Sequence, residues 1–304
     1  MDYISLVYND KYNGGEAPYI NSLFLRADYE YADLDFAETN DVSTILDYRS
    51  ILNQYEHDAN SIFYRYFVFN IDKGGELDPV LSDIRVRQAL MHAIDRESIV
   101  KNVYYGIGYV NNTAAVQEYD NPIESDYSYD PELALALLEE AEYDFDRPVT
   151  LLYYYSDATS IKFMDEVGKY LEEIGLTVEI IKGDLYADET DAYDMGLKGL
   201  PVFSIEDWYN EYLSSTKLHT DVYGGQPMFD DHIIDLKQAT SAEERNEILA
   251  ELQALEYELL YKTPLFIMGH KVYVSSDVVL PENVKFGDSK YKYDLDLENW
   301  KIDS

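Results

Sequence analysis

The chain has 304 residues, 46% of them hydrophobic and none of them cysteine, which allows one large or two ordinary cores but no disulfide or thiolate metal site. Asp and Glu number 60 against 23 Lys and Arg, and a formal charge of −37 repels phosphate backbones and anionic lipid, which argues against nucleic-acid or membrane-surface binding. No apolar run reaches the roughly 18 residues needed to span a bilayer, and Met1–Leu6 has neither the basic start nor the cleavage site of a signal peptide. The 31 tyrosines suit core edges and wet binding surfaces alike, because each ring is apolar and each tip is polar.

In chain order, Tyr3–Val7 and Ser22–Arg26 read as strands on either side of the turn-rich Asn9–Gly15. A helical patch lies around Val42–Gln54, and Tyr64–Ile71 is a strongly β-prone aromatic run. Val86, Leu90, Ala93, Ile94 and Val100 keep amphipathic helical spacing behind Asp83, which can cap the start. After the loop Gly106–Asp126, Asp130 followed by Pro131 predicts a second capped helix with Leu133, Leu137 and Leu138 inward.

Strand Val149–Tyr155, helix Ser156–Ile174 and strand Leu176–Ile181 form a crossover unit, which predicts two parallel neighbours in one sheet. A short strand, Asp194–Gly199, runs into Pro201. Ser241 and Glu244 have capping-box spacing before a helix whose apolar face is Ile248, Leu252, Leu255 and Leu259. Strands Leu265–Met268 and Lys271–Val274 follow, then a charged, tyrosine-rich tail, Gly287–Ser304, with a lone Trp300.

The run Leu81–Leu90, continued by Ala93-Ile94-Asp95-Arg96, resembles the signature of the oligopeptide- and dipeptide-binding proteins that feed ABC importers, family 5 of the extracellular solute-binding proteins. Tyr129–Ala134, the crossover Val149–Ile181, Glu243-Glu244-Arg245 and Thr263-Pro264-Leu265 match the same family in order. The resemblance implies an α/β, two-lobe periplasmic-binding-protein-like architecture of type II, cluster C. Residues 1–70 would be a partial lobe I, 71–271 lobe II, and 272–304 the return to lobe I. In the family the turn resembling Asn9–Gly15 lies well inside the polypeptide, so an N-terminally truncated form is expected, with part of lobe I missing and weak ligand binding or none.

The implied function is capture of a peptide or similar small solute by lobe closure and delivery to ABC permease subunits, without catalysis. The implied protein is an extracellular or periplasmic monomer, held as a lipoprotein in its full-length form by an anchor absent here. Peptide-binding relatives carry a tryptophan and an acid after a glycine, and the matching stretch here is Gly199–Trp208. Leu200 stands at the tryptophan position and Phe203 at the acid position, a departure that puts the usual anchor for a peptide amine in doubt. Glu206 or Asp207 is a substitute after a register shift, or both simply open the helix that contains Trp208. Tyr155, at a strand's carboxyl end, is the candidate cleft wall. The candidate ligand-binding residues are thus Tyr155, Gly199, Leu200, Phe203 and Trp208.

Arg87 and Asp95 read as structural anchors of their helix rather than a catalytic pair. The acidic runs Asp28–Asp35 and Asp184–Asp191 lack the glycine and terminal glutamate of a calcium loop, and the five histidines show no zinc spacing, so no metal or cofactor is expected. Two other readings use the same residues. One is a glycosidase or oligosaccharide-binding protein, since carboxylates and tyrosines serve sugars. The other is a ligand-sensing, receptor-like module.

Overall fold

Seven residues, Phe63–Phe69, carry one charge among six apolar or aromatic side chains, and all but Phe63 are buried. Such a run belongs in the middle of a sheet covered on both faces, and there the computed structural model places it. The structure describes the chain except for residues 1–2, 12–16, 27–33, 51–53, 60–62, 112–126, 185–192, 203, 226, 283, 287–295 and 304. Parts of the Asn9–Gly15 turn, the Gly106–Asp126 loop and the tail, most of both acidic runs, and Phe203 therefore lie outside the described residues.

The chain divides into two compact units, residues 1–61 with 269–304, and residues 62–268. In the first, Tyr3–Val7 pairs antiparallel with Ser22–Arg26. A three-stranded sheet has His270–Ser275 between Phe36–Thr39 and Gln54–Ala59. Trp300 is buried against Phe36 at a centroid distance of 5.4 Å, in a small core with Val272, Val274 and Phe286.

Elements of the second unit are numbered within it. Its six-stranded sheet contains β1 (Phe63–Phe69), β2 (Gly108–Val110), β3 (Val149–Tyr153), β4 (Val178–Lys182), β5 (Met195–Pro201) and β6 (Lys262–Met268). The spatial order is β4-β3-β5-β1-β6-β2. β3 and β4 are parallel, as the crossover predicts, and β5 is parallel to β3 but antiparallel to β1.

The helices are α1 (Ile84–His92), α2 (Arg96–Asn102), α3 (Pro131–Glu140), α4 (Ala158–Glu173), α5 (Ile205–Asn210), α6 (Asp230–Gln238) and α7 (Ala242–Leu259). The spacing after Asp83 predicts one helix through Val100, whereas the chain makes two. Asp95 stops the first by accepting from the Ser98 amide at 2.8 Å, which caps α2. Asp83, Asp130 and Asp157 cap α1, α3 and α4 in the same way. The box at the start of α7 is displaced by one residue: Ser241 accepts from the Glu244 amide, but the Glu244 carboxylate takes the amide of Thr240 at 2.9 Å. Arg87 ties α1 to the end of α7, donating to the carbonyls of Leu259 (2.5 Å) and Leu260 (3.1 Å) and to that of Leu81.

Alternation along β1 sorts its side chains to two faces. Phe67 meets Phe163 of α4 at 5.9 Å on one face. Tyr64, Tyr66 and Val68 join the core formed with α5, α6 and α7 on the other. In α7 the buried positions are Leu249, Leu252, Gln253 and Glu256: Leu252 of the expected face is buried, whereas Ile248, Leu255 and Leu259 are only half-buried, so the seam runs to one side of that stripe. The reason is a polar network in this core. Lys262 is completely buried, and its ammonium donates to the Trp208 carbonyl (2.7 Å) and to Glu211 (2.8 Å). It lies 3.9 Å from the Trp208 ring and 4.6 Å from that of Tyr212. Glu211 also accepts from Tyr66 at 2.7 Å and from Lys198 at 3.2 Å. Glu256 accepts from the Trp208 indole and the Tyr212 hydroxyl. Burial pushes the Lys262 ammonium below its ordinary pKa, with Glu211 opposing. Burial raises Glu211, but Lys262, Lys198 and the hydrogen bonds together leave it below the ordinary carboxylate value.

Two outcomes are expected. K262M takes the buried ammonium from Glu211 and leaves it Lys198 as its cation, and should cost about 3 kcal/mol in urea denaturation, whereas adding E211M, which in turn unpairs Lys198, should recover only part of that loss. In the first unit, hydrogen bonds from Arg49, opposed by burial and aided by Tyr273, hold Glu56 at about 2 against an ordinary value of 4.5. This depressed pKa contributes stability that is complete above 4.5 and lost as the pH falls toward 2. Melting curves of E56Q should therefore show a flatter acid limb than wild type, by less than about 1 kcal/mol because the pair is partly solvated.

Candidate functional site

The carboxyl ends of the parallel strands β3 and β5 meet the start of β1 at one edge of the sheet. Ligands settle at such strand ends in open α/β sheets, because loops leave there and backbone groups are free to turn outward. Register pairs Gly199 of β5 with Arg65 of β1, so both face the same side. Tyr155 stands two residues beyond β3 and reaches over the same spot. The Arg65 guanidinium lies 3.8 Å from the centroid of the Tyr155 ring and 5.9 Å from that of Phe63. Tyr154 stacks on Tyr155 at 4.2 Å, with their hydroxyls 2.8 Å apart. Burial raises the Tyr155 hydroxyl far above the ordinary tyrosine range, although Arg65 partly opposes this, so the group stays neutral.

Gly199 makes this stack possible. A Cβ there would come within 2.8 Å of the Tyr155 hydroxyl and 3.0 Å of both Arg65 Nη1 and a Phe63 ring carbon. Arg65 is only 6% exposed, and among the described residues its Nε and Nη1 have no hydrogen-bond partner. Among the described residues no carboxylate pairs with it.

The structure brings Tyr155 and Gly199 together and sends the other candidates elsewhere. Leu200 pairs with Tyr64 and packs into the core on the opposite face of the sheet. Trp208 is fully buried in that same core, its indole bound to Glu256. Phe203 is outside the described residues. Glu206 pairs with Arg245 at 2.7 Å, and Asp207 accepts from the Ser204 amide at 3.1 Å in the capping box of α5. Both acids thus open the helix that contains Trp208. Arg65 escapes the reading of sequence motifs. Its signal is a lone charge inside an aromatic run that must be buried, and only the pairing with Gly199 gives it a location. Among the described residues, no group of three or more His, Asp or Glu side chains is arranged to hold a metal ion.

The arrangement is thus a mixed sheet flanked by helices, with an aromatic-covered cation at its strand ends. The model for the middle part of the bacterial extracellular solute-binding proteins, family 5, matches residues 1–220, and the chain belongs to that family. A putative ABC transporter peptide-binding protein of Brucella ovis is 31% identical over 194 residues, 58% of this chain and 34% of its own. The dipeptide-binding protein of Escherichia coli is 38% identical over 79 residues, 25% of this chain and 14% of its own. The chain therefore spans about a third of the length of the Brucella relative, at 34%.

Solved structures show the fold. The substrate-binding protein CtaP of Listeria monocytogenes superposes with a TM-score of 0.85 at 17% identity, covering 100% of this chain and 64% of that one. The oligopeptide-binding protein AppA of Bacillus subtilis, in complex with a nonapeptide, gives 0.67 at 20% identity over 99% of this chain and 64% of that one. These relatives are binding proteins, and the fold is the α/β periplasmic-binding-protein type expected from the sequence. Among the described residues no helix is long and apolar enough to cross a membrane.

Replacing Gly199 by alanine should displace the Tyr155–Arg65 stack rather than strain the backbone, since this glycine lies in a regular strand. Chemical denaturation of G199A should show a loss of about 1–3 kcal/mol with the sheet intact by circular dichroism.

Proposed function

We propose that the chain is the solute-capturing part of an ABC importer's extracytoplasmic binding protein, taking a peptide or similar small solute by lobe closure and passing it to a permease without chemical change. Membership of family 5, matched over residues 1–220, carries this reading. The site's chemistry agrees with it. Among the described residues neither Arg65 nor Tyr155 is paired with a carboxylate, whereas glycoside hydrolysis needs two carboxylates flanking one bond. Apolar walls with few placed polar groups are the ordinary make-up of a capture site.

The lobe assignment follows the same reading, with residues 1–70 and 272–304 in the first lobe and 71–271 in the second. Tyr155 and Gly199 are the proposed contacts from the second lobe. The protein works outside the cytoplasmic membrane as a monomer, held as a lipoprotein in its full-length form.

Nuclear magnetic resonance titration of the 304-residue chain with short peptides should give saturable shifts at the amides flanking Tyr155 and Gly199, and mass spectrometry should find the peptides uncut. Turnover of a glycan panel, abolished by a single Asp or Glu substitution, would refute capture. Specific binding to a histidine kinase ectodomain and none to permease subunits would favour a sensing module instead.

A further inference from the structure

Arg65 occupies a position where a guanidinium is costly. It is 6% exposed, and among the described residues two of its three nitrogens find no acceptor. Glu206 belongs to Arg245, and Asp207 belongs to the cap of α5. A buried donor without a partner loses about 1–3 kcal/mol of desolvation, more when charged. The stack on Tyr155 returns about 0.5–2 kcal/mol through the ring's negative face but satisfies no N–H. Five N–H donors in a rigid planar fork match a carboxylate in size, charge and direction.

We infer that Arg65 is the anchor for a carboxylate group on the captured solute, with Tyr155 as its movable cover. The inference rests on the solute-capture reading above and narrows its substrate class to carboxylate-bearing molecules. The geometry supplies the cover's freedom. Tyr155 is only half-buried, lies beyond the end of β3, and is tied by its hydroxyl to exposed Tyr154 rather than to the core. Rotation of that ring frees the guanidinium face, and the Tyr155 hydroxyl rests on the bare backbone of Gly199, where a Cβ would collide with it. Phe63 remains as an apolar floor at 5.9 Å, keeping water from competing for the fork.

The charge of the whole chain, −37, works against long-range attraction of an anion. Beyond a screening length of about 8 Å at physiological salt that repulsion fades, so selection for the carboxylate is made at contact. A peptide's carboxyl terminus and a small organic acid share this chemistry, and the probes below separate them.

The 304-residue chain, labelled to observe the arginine Nε–H groups, is titrated with acetate, with tetraalanine and with tetraalanine amide. Acetate should shift the Arg65 Nε–H resonance saturably, and tetraalanine should bind roughly tenfold or more tighter than its amide. Arg65→Met should bind tetraalanine and its amide equally. Arg65→Lys, which keeps the charge but loses the fork, should retain a reduced preference and guards against a folding defect in the methionine variant. An acetate response with both peptides silent keeps the carboxylate anchor and refutes the peptide reading alone. The anchor is overturned if acetate leaves Arg65 unmoved and acid and amide bind the wild type equally, or if the preference for the acid survives in Arg65→Met.

Discussion

The side chain of Lys262 is completely buried, and the second unit is organised by what that requires. A buried cation must be paired and hydrogen-bonded or the fold loses several kcal/mol. The partners here come from distant stretches of chain: the carbonyl of Trp208, the carboxylate of Glu211 and the rings of Trp208, Tyr212 and Tyr66. Each fixes one element. Trp208 belongs to α5, Glu211 ends it, Tyr66 lies on β1 and Lys262 begins β6. Glu256 of α7 closes the group by taking the indole and the Tyr212 hydroxyl. Its carboxyl is raised by burial, with those two donors holding it back in part.

That assignment of one face decides the chemistry of the other. Tyr64 and Tyr66 are committed to the Lys262 core, so strand alternation turns Phe63, Arg65 and Phe67 toward α4. Phe67 packs in the interior, whereas Arg65 comes to the end of the sheet where β3 and β5 finish. The two buried cations of adjacent strands thus differ in kind. Lys262 has two acceptors and a surround of aromatic rings. Arg65 has an aromatic cover, and among the described residues its Nε and Nη1 find no acceptor.

The same contrast explains why aromatic residues dominate both places. In the core, rings surround a charge without supplying competing protons, as Trp208 does at 3.9 Å. At the strand ends, Tyr155 covers Arg65 at 3.8 Å, and its hydroxyl meets that of Tyr154. The abundance of tyrosine in this acidic chain therefore reflects packing and site chemistry at once.

The sequence by itself determined what depends on neighbours along the chain. Asp83, Asp130, Asp157 and Ser241 announce helix starts because a cap needs only an oxygen and the next few amides. The crossover Val149–Ile181 declares parallel strands because a helix of that length closes in one sense. The motifs from Leu81 to Arg96 carry the family. Only tertiary structure decided that Asp95 splits its helix, that α7 buries Gln253 and Glu256 beside its apolar stripe, and that Leu200 and Trp208 turn into the core while Tyr155 and Gly199 meet. It also found Arg65, whose meaning rests on a glycine 134 positions away in the chain. Which face a residue takes is set by strand register and by the charges already buried on the other side, and neither is a property of local sequence.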